Sequence, residues 1–116
     1  MIAPGTRRIV LATAPVDFRR GMDSLAALVQ QALATSPFCG DIFIFRSKRA
    51  DRIKILVWDG TGLWLHQKRL EKGRFVWPPI RDGVITLGAV HLNMLLEGLD
   101  WSRIVPVKTK SPELAC

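Results

Sequence analysis

Cysteine is nearly absent from this chain: Cys39 and Cys116 are the only two among 116 residues. They lie far apart, and the second is the last residue, so they outline neither a disulfide framework nor a zinc site. A reducing cytoplasm is the compartment that fits. Histidine is as scarce, and His66 and His91 stand at no metal-ligand spacing. No serine or cysteine sits in a nucleophile motif. The nine glycines form no phosphate-binding pattern. No cofactor is therefore expected. Long apolar runs are missing too. The least charged stretches, 24–40 and 83–96, are interrupted by polar residues, Gly or Pro, so neither reads as a membrane span. The N-terminus lacks the apolar core of a signal peptide.

Acidic residues are also few, 10 against 17 Lys and Arg. Asp59 and Asp82 precede glycine, where turn chemistry explains them. Asp23 stands at a helix entrance, and Asp51 and Glu71 lie among cations. Asp17 and Asp100 are left without such an account, and a nuclease reading would rest on them. Two-metal phosphoryl chemistry needs clustered carboxylates, and the sequence does not assemble three. The expectation is a protein that is not an enzyme.

What the sequence does have is positive charge in one place. The formal net charge is +7, and residues 46–74 hold nine cations against Asp51, Asp59 and Glu71. Concentrated positive charge attracts polyanions, because each neutralised phosphate releases a condensed counterion. Nucleic acid is the leading partner, ahead of an anionic membrane surface. The alternative is a solvated face that keeps the protein soluble.

The hydrophobic fraction of 48% supports one globular domain. Arg8–Ala14 reads as a short strand. Asp23 or Ser24 could cap a helix carrying Leu25, Leu28, Val29, Ala32 and Leu33 at helical spacing. Asp41–Phe45 reads as a fully apolar strand, Arg52–Trp58 and Leu63–Leu70 as a hairpin, and Arg74–Trp77 as a further strand stopped by Pro78-Pro79. Thr86 could cap a second helix, with Gly98 as its stop. These elements give one α+β domain over 7–105, an antiparallel meander of about four to six strands with both helices on one face. Residues 1–6 read as a flexible lead-in and 106–116 as a disordered tail.

The hairpin can pair in two registers. With Trp58 facing Leu63, both faces mix apolar and charged side chains. With Trp58 facing Trp64, the faces separate, and Gly62 takes the left-handed position of a three-residue loop. The second register is expected. It places Trp58 and Trp64 with Lys54, His66 and Lys68 on a basic-aromatic face suited to nucleic acid. A helix covering that face, with the tryptophans as core, is the alternative.

Several segments together resemble a known family. They are Pro15–Asp23, Phe43–Arg46, Arg52–Gly60, Lys68–Pro78 and Leu95–Trp101. In order and spacing they resemble the TnpB accessory protein of the IS sixty-six class of bacterial insertion sequences. The likeness runs from about Arg7 to Trp101. It implies a protein that acts beside a separate, larger transposase, which supplies the strand-transfer carboxylates. The family brings no catalytic residues to carry over. Asp17 with Arg19 and Arg20 then reads either as an ion pair fixing a loop or as arginines offered to phosphate. The expected DNA contacts are Arg19, Arg20, Arg46, Lys48, Arg49, Arg52, Lys54, Lys68, Arg69, Lys72 and Arg74. The expected partners are DNA and the element's transposase. The rival reading is a protein-interaction module that positions the transposase without touching DNA.

Overall fold

The computed structural model describes residues 7–33, 35–77, 84–101 and 107–109. The elements run β1 (Ile9–Ala12), α1 (Met22–Ala32), β2 (Ile42–Arg46), β3 (Arg52–Trp58), β4 (Leu63–Arg69), β5 (Val84–Leu87), α2 (Ala89–Leu96) and β6 (Val107–Thr109). All six strands form one sheet in the order β4-β3-β2-β1-β5-β6. The α+β class expected from the sequence is the class found.

The sheet is mixed rather than a pure meander. β1 pairs with β2 in parallel, Ile9 beside Ile42, while the other neighbours are antiparallel. The reason is the connection. α1 lies between β1 and β2, and a helical crossover returns the chain to start a strand in the same direction.

The helices lie on opposite faces, not on one. Ile9, Leu11, Ile42, Ile44, Ile53 and Ile55 pack with Leu92 and Leu95 of α2. The alternate residues Val10, Ala12, Phe43, Phe45 and Leu56 pack with Leu25, Ala26 and Val29 of α1. Strands covered on both sides read as continuous apolar runs rather than as alternating ones. Ile9–Ala12 and Ile42–Phe45 are such runs, and every residue in them is buried. Each fully buried Ile, Leu or Phe contributes roughly 1.5–3 kcal/mol, so these short strands carry much of the core.

The helix ends differ from the capping residues expected. Gly21, not Asp23 or Ser24, is the N-cap of α1; Asp23 falls in the first turn, where the helix dipole favours it. Gly88, not Thr86, begins α2, because Thr86 belongs to β5. The Gly88 N–H donates to His91 Nδ1 at 3.1 Å, a reach-back from the third helical position. At the other end Gly98, at φ +74°, closes the helix as expected. Gly98 N–H donates to Leu95 O and Leu99 N–H to Met94 O, the paired bonds of a Schellman motif.

Residues 74–77 form no strand. They are held from the side: Phe75 N–H donates to Ala50 O at 2.7 Å, Trp77 Nε1 to Ala12 O at 2.9 Å, and Trp101 Nε1 to Val76 O at 2.8 Å. Val107–Thr109, read as part of a disordered tail, pair with β5. The lead-in 1–6, Pro78-Pro79 and the rest of the tail lie outside the described residues.

The β3–β4 hairpin takes the register that sequence reasoning set aside. Trp58 faces Leu63, and Val57 faces Trp64. Trp58 and Trp64 therefore point to opposite sides of the sheet. The expected separation assumed one dry face and one wet face. With a helix on each side, Ile53 through Val57 are all buried, so both faces of β3 are dry and the criterion loses its force. The turn decides instead. Asp59 N–H donates to Gly62 O at 3.0 Å, and the positive φ falls on Gly60, at +106°, not on Gly62. The Asp59 carboxylate accepts the Thr61 and Gly62 N–H groups at 2.9 Å each.

Candidate nucleic-acid interface

The β2–β3 connection, residues 47–51, is a tightly bonded turn. Ser47 N–H donates to Arg52 O and Ala50 N–H to Ser47 O, each at 3.0 Å. Ser47 Oγ donates to Asp51 Oδ1 at 3.1 Å and accepts the Arg52 N–H at 3.2 Å. Ala50 adopts φ +60° and is buried, a left-handed conformation uncommon for a residue with a Cβ. Lys48 and Arg49 are thereby held at the exposed tip.

Backbone bonds fasten two further segments to this turn. Leu70 N–H donates to Asp51 O at 2.9 Å, and Phe75 N–H reaches Ala50 O. From the other side, Val16 N–H donates to Arg46 O at 2.9 Å. One end of the sheet thus gathers residues 15–20, 46–52 and 69–75. Between the first two lies a cleft of about 530 Å³, with Pro15, Val16 and Phe18 on one wall and Ser47, Lys48, Arg49 and Arg52 on the other.

The expected DNA contacts divide when their partners are counted. Lys48, Arg49, Arg52, Lys72 and Arg74 are exposed, and among the described residues none of their side chains has a hydrogen bond or ion pair. Arg69 stands directly across from Arg52 and meets Glu71 at 3.8 Å. Like charges facing each other across a sheet are unfavourable, so this end concentrates cations against its own stability. Arg19 grips Asp17 with two nitrogens, Nη2 at 2.6 Å and Nε at 3.1 Å, which is the ion-pair arrangement. Arg20 donates to Ser24 Oγ at 3.2 Å. Lys68 donates to Leu96 O at 2.6 Å, at the C-terminus of α2. Arg46 is half-buried, bonded to the carbonyls of Ser47 and Lys48, 6.0 Å from the Trp77 ring centre, and its Nε is buried without a partner.

Lys54 is not on the surface. It is 6% exposed, and its ammonium donates to Phe18 O at 2.9 Å and Arg20 O at 2.8 Å. The Phe18 ring lies 4.8 Å away, within cation–π range. Lys54 therefore positions the loop entering α1, the wall of the cleft, rather than facing a ligand.

The basic-aromatic face does not form. Trp58 is half-buried and meets Phe38 edge-on at 5.4 Å. Trp64 is 52% exposed, stacks on His66 at 5.6 Å and donates Nε1 to Asp59 Oδ2 at 2.6 Å. Both tryptophans sit at the turn end of β3–β4, roughly 20 Å from Arg52 along the strand. The aromatic beside the cations is Phe18, which sequence reasoning passed over. A signal existed: Lys54 is the one charge inside the buried run Ile53–Val57, and its partner had to be a polar group on a nearby loop.

Two carboxylates are strongly shifted. The Arg19 side chain, then its backbone N–H, holds Asp17 well below the usual carboxylate range. The Thr61 N–H, then the Trp64 indole and the Gly62 N–H, do the same for Asp59. Both groups are structural anions at neutral pH. Among the described residues no three His, Cys, Asp or Glu side chains group to hold a metal ion, and no described helix is long and apolar enough to cross a membrane.

The profile of the IS66 Orf2 like protein family matches residues 7–106. The uncharacterized protein y4jC of Sinorhizobium fredii (strain NBRC 101917 / NGR234) is 49% identical over 113 residues, covering 97% of each chain. The uncharacterized protein y4hO of the same strain is 42% identical over 94 residues, 81% of this chain and 82% of that one. No solved structure matches. A family match over residues 7–106, with relatives this similar over four-fifths or more of their length, makes the chain a member of the IS66 Orf2 like protein family.

Proposed function

We propose that the chain is a non-catalytic accessory protein of insertion-sequence transposition, binding DNA through the basic end of its sheet and assisting a separate transposase. Family membership supports the accessory role. The observation that carries the DNA contact is the set of five exposed cations without side-chain partners, Lys48, Arg49, Arg52, Lys72 and Arg74, gathered by backbone bonds between the turn at 47–51 and residues 70–75. Lys54 leaves the set of contacts because it is buried. Arg19, Arg20, Arg46, Lys68 and Arg69 hold protein partners and are secondary contacts. Phosphate neutralisation of this kind gives affinity with limited sequence readout.

Filter binding of the intact chain to duplex DNA across a salt series tests the reading. Five phosphate contacts should give a slope of log affinity against log salt of about −4 to −5. Combined reversal of Lys48, Arg49 and Arg52 to Glu should abolish binding at moderate salt. A flat salt response, or no binding at low salt, would refute direct DNA contact.

A second reading has its own observation. Trp64, Val90 and Leu99 are each more than half exposed, and a partner that covered them as one patch would bury apolar surface. It predicts co-purification with the transposase after nuclease treatment, unchanged by the charge reversals and lost in Trp64→Ala or Val90→Asp.

A further inference from the structure

We infer that the cleft between residues 15–18 and 47–52 takes a single unpaired nucleotide, so that the protein prefers single-stranded or frayed DNA to intact duplex. The inference rests on the DNA-binding reading and names the form of DNA that the site fits.

The two walls differ in chemistry. Pro15, Val16 and Phe18 offer apolar and aromatic surface, and Lys48, Arg49 and Arg52 offer cations. Asp17 and Asp51 line the cleft as well; Asp17 is paired with Arg19, and Asp51 accepts a hydrogen bond from Ser47 Oγ and is outnumbered by the three cations. A nucleotide has the same division, a flat base and an anionic phosphate. The cleft, about 530 Å³, lies within the roughly 300–1,000 Å³ of sites that hold a small molecule. In a duplex the flat faces of the bases are stacked inside, and a protein surface meets only phosphates, sugars and base edges. Duplex DNA could use the cationic wall and would leave the Phe18 wall empty, whereas an unpaired nucleotide uses both.

The walls are fixed before any ligand arrives. Lys54 ties the carbonyls of Phe18 and Arg20 from within. Ser47 and the left-handed Ala50 set the opposing turn, and Val16 N–H joins the two segments through Arg46 O. Preorganisation of this kind lowers the ordering cost of binding.

The test is fluorescence polarisation of the intact chain with a labelled single strand, the same sequence as duplex, and the single strand carrying abasic sites. A base stacked on an aromatic side chain is worth roughly 5- to 150-fold in affinity. The single strand should therefore bind at least about 5-fold tighter than the duplex. Abasic sites should remove that advantage with the phosphates and the protein unaltered. Phe18→Ala, and Phe18→Leu, which keeps an apolar contact with the loop, should lower single-strand affinity and leave duplex affinity unchanged. A free deoxynucleotide monophosphate at equal nucleotide concentration should displace neither; displacement would assign the cleft to a free nucleotide and overturn the proposal. Equal binding of strand and duplex, or of intact and abasic strands, overturns the inference while DNA binding stands. Binding of neither DNA at low salt overturns both.

Discussion

Lys54, Ala50 and Asp59 each do a structural job that their residue type does not advertise. Lys54 sits in the middle of β3 with its ammonium on two carbonyls. Replacing it by Met keeps the volume but strands two acceptors, so Lys54→Met should lose roughly 1–3 kcal/mol of stability in chemical denaturation. Ala50, at φ +60°, gives a contrasting pair. Ala50→Val puts a β-branched side chain where few residues go and should destabilise by more than about 1 kcal/mol, whereas Ala50→Gly relieves the backbone, loses a buried methyl, and should stay within about 1 kcal/mol of the parent. Asp59 carries a sign for pH. Its carboxyl titrates below its unfolded value, so its contribution is complete above the ordinary carboxylate range and is lost as pH falls through the folded value. Melting curves of the parent and Asp59→Ala should lie apart at neutral pH and converge in strong acid. A gap that stayed constant down to low pH would show that the carboxylate's charge is not what holds the turn. Much of this was hidden in the sequence for one reason: a lysine among apolar residues reads as a surface cation until the loop that accepts its protons is in place.

Elements were more legible than their arrangement. Strand β3 has the bounds read from the sequence, and Gly98 stops α2 through a bond pattern that its position suggested. The caps moved because glycine needs no side-chain oxygen to start a helix. At α2 the missing cap is replaced by His91 reaching back to Gly88, so His91→Ala should cost about 1 kcal/mol, checked by urea denaturation. A neutral effect would mean that the bond adds nothing to the start of α2. The register of β3 against β4 was misjudged through a single assumption, that one face of the hairpin meets water. The apolar runs of β1 and β2 already contradicted it, because only strands covered on both sides can be apolar at every position. Placing one helix on each face follows from those runs, and the Trp58–Leu63 pairing becomes acceptable once both faces are dry.

At the scale of the whole molecule, the basic segment was visible as a count, but its shape was not. Bonds between distant segments, Leu70 to Asp51 and Phe75 to Ala50, turn a stretch of sequence into one end of a sheet. The aromatic partner of the cations comes from a loop more than two dozen residues earlier, which no local pattern could supply. If the five unpartnered cations act together, neutralising any one of them to Gln should lower the salt slope by about one, measured with the same duplex. Equal slopes for all five variants and the parent would place the contact elsewhere. Unpartnered cations gather at one end of β3, while at the other Asp41 is paired with Arg8 and Arg7 bonds the Trp58 carbonyl beside Asp59, so the excess positive charge of these strands is lopsided. Such a body is turned by the field of a polyanion before the two meet. Ionic strength should then slow the rate of encounter as well as weaken the complex, and the protein should arrive basic end first, with Trp64 facing away from the DNA.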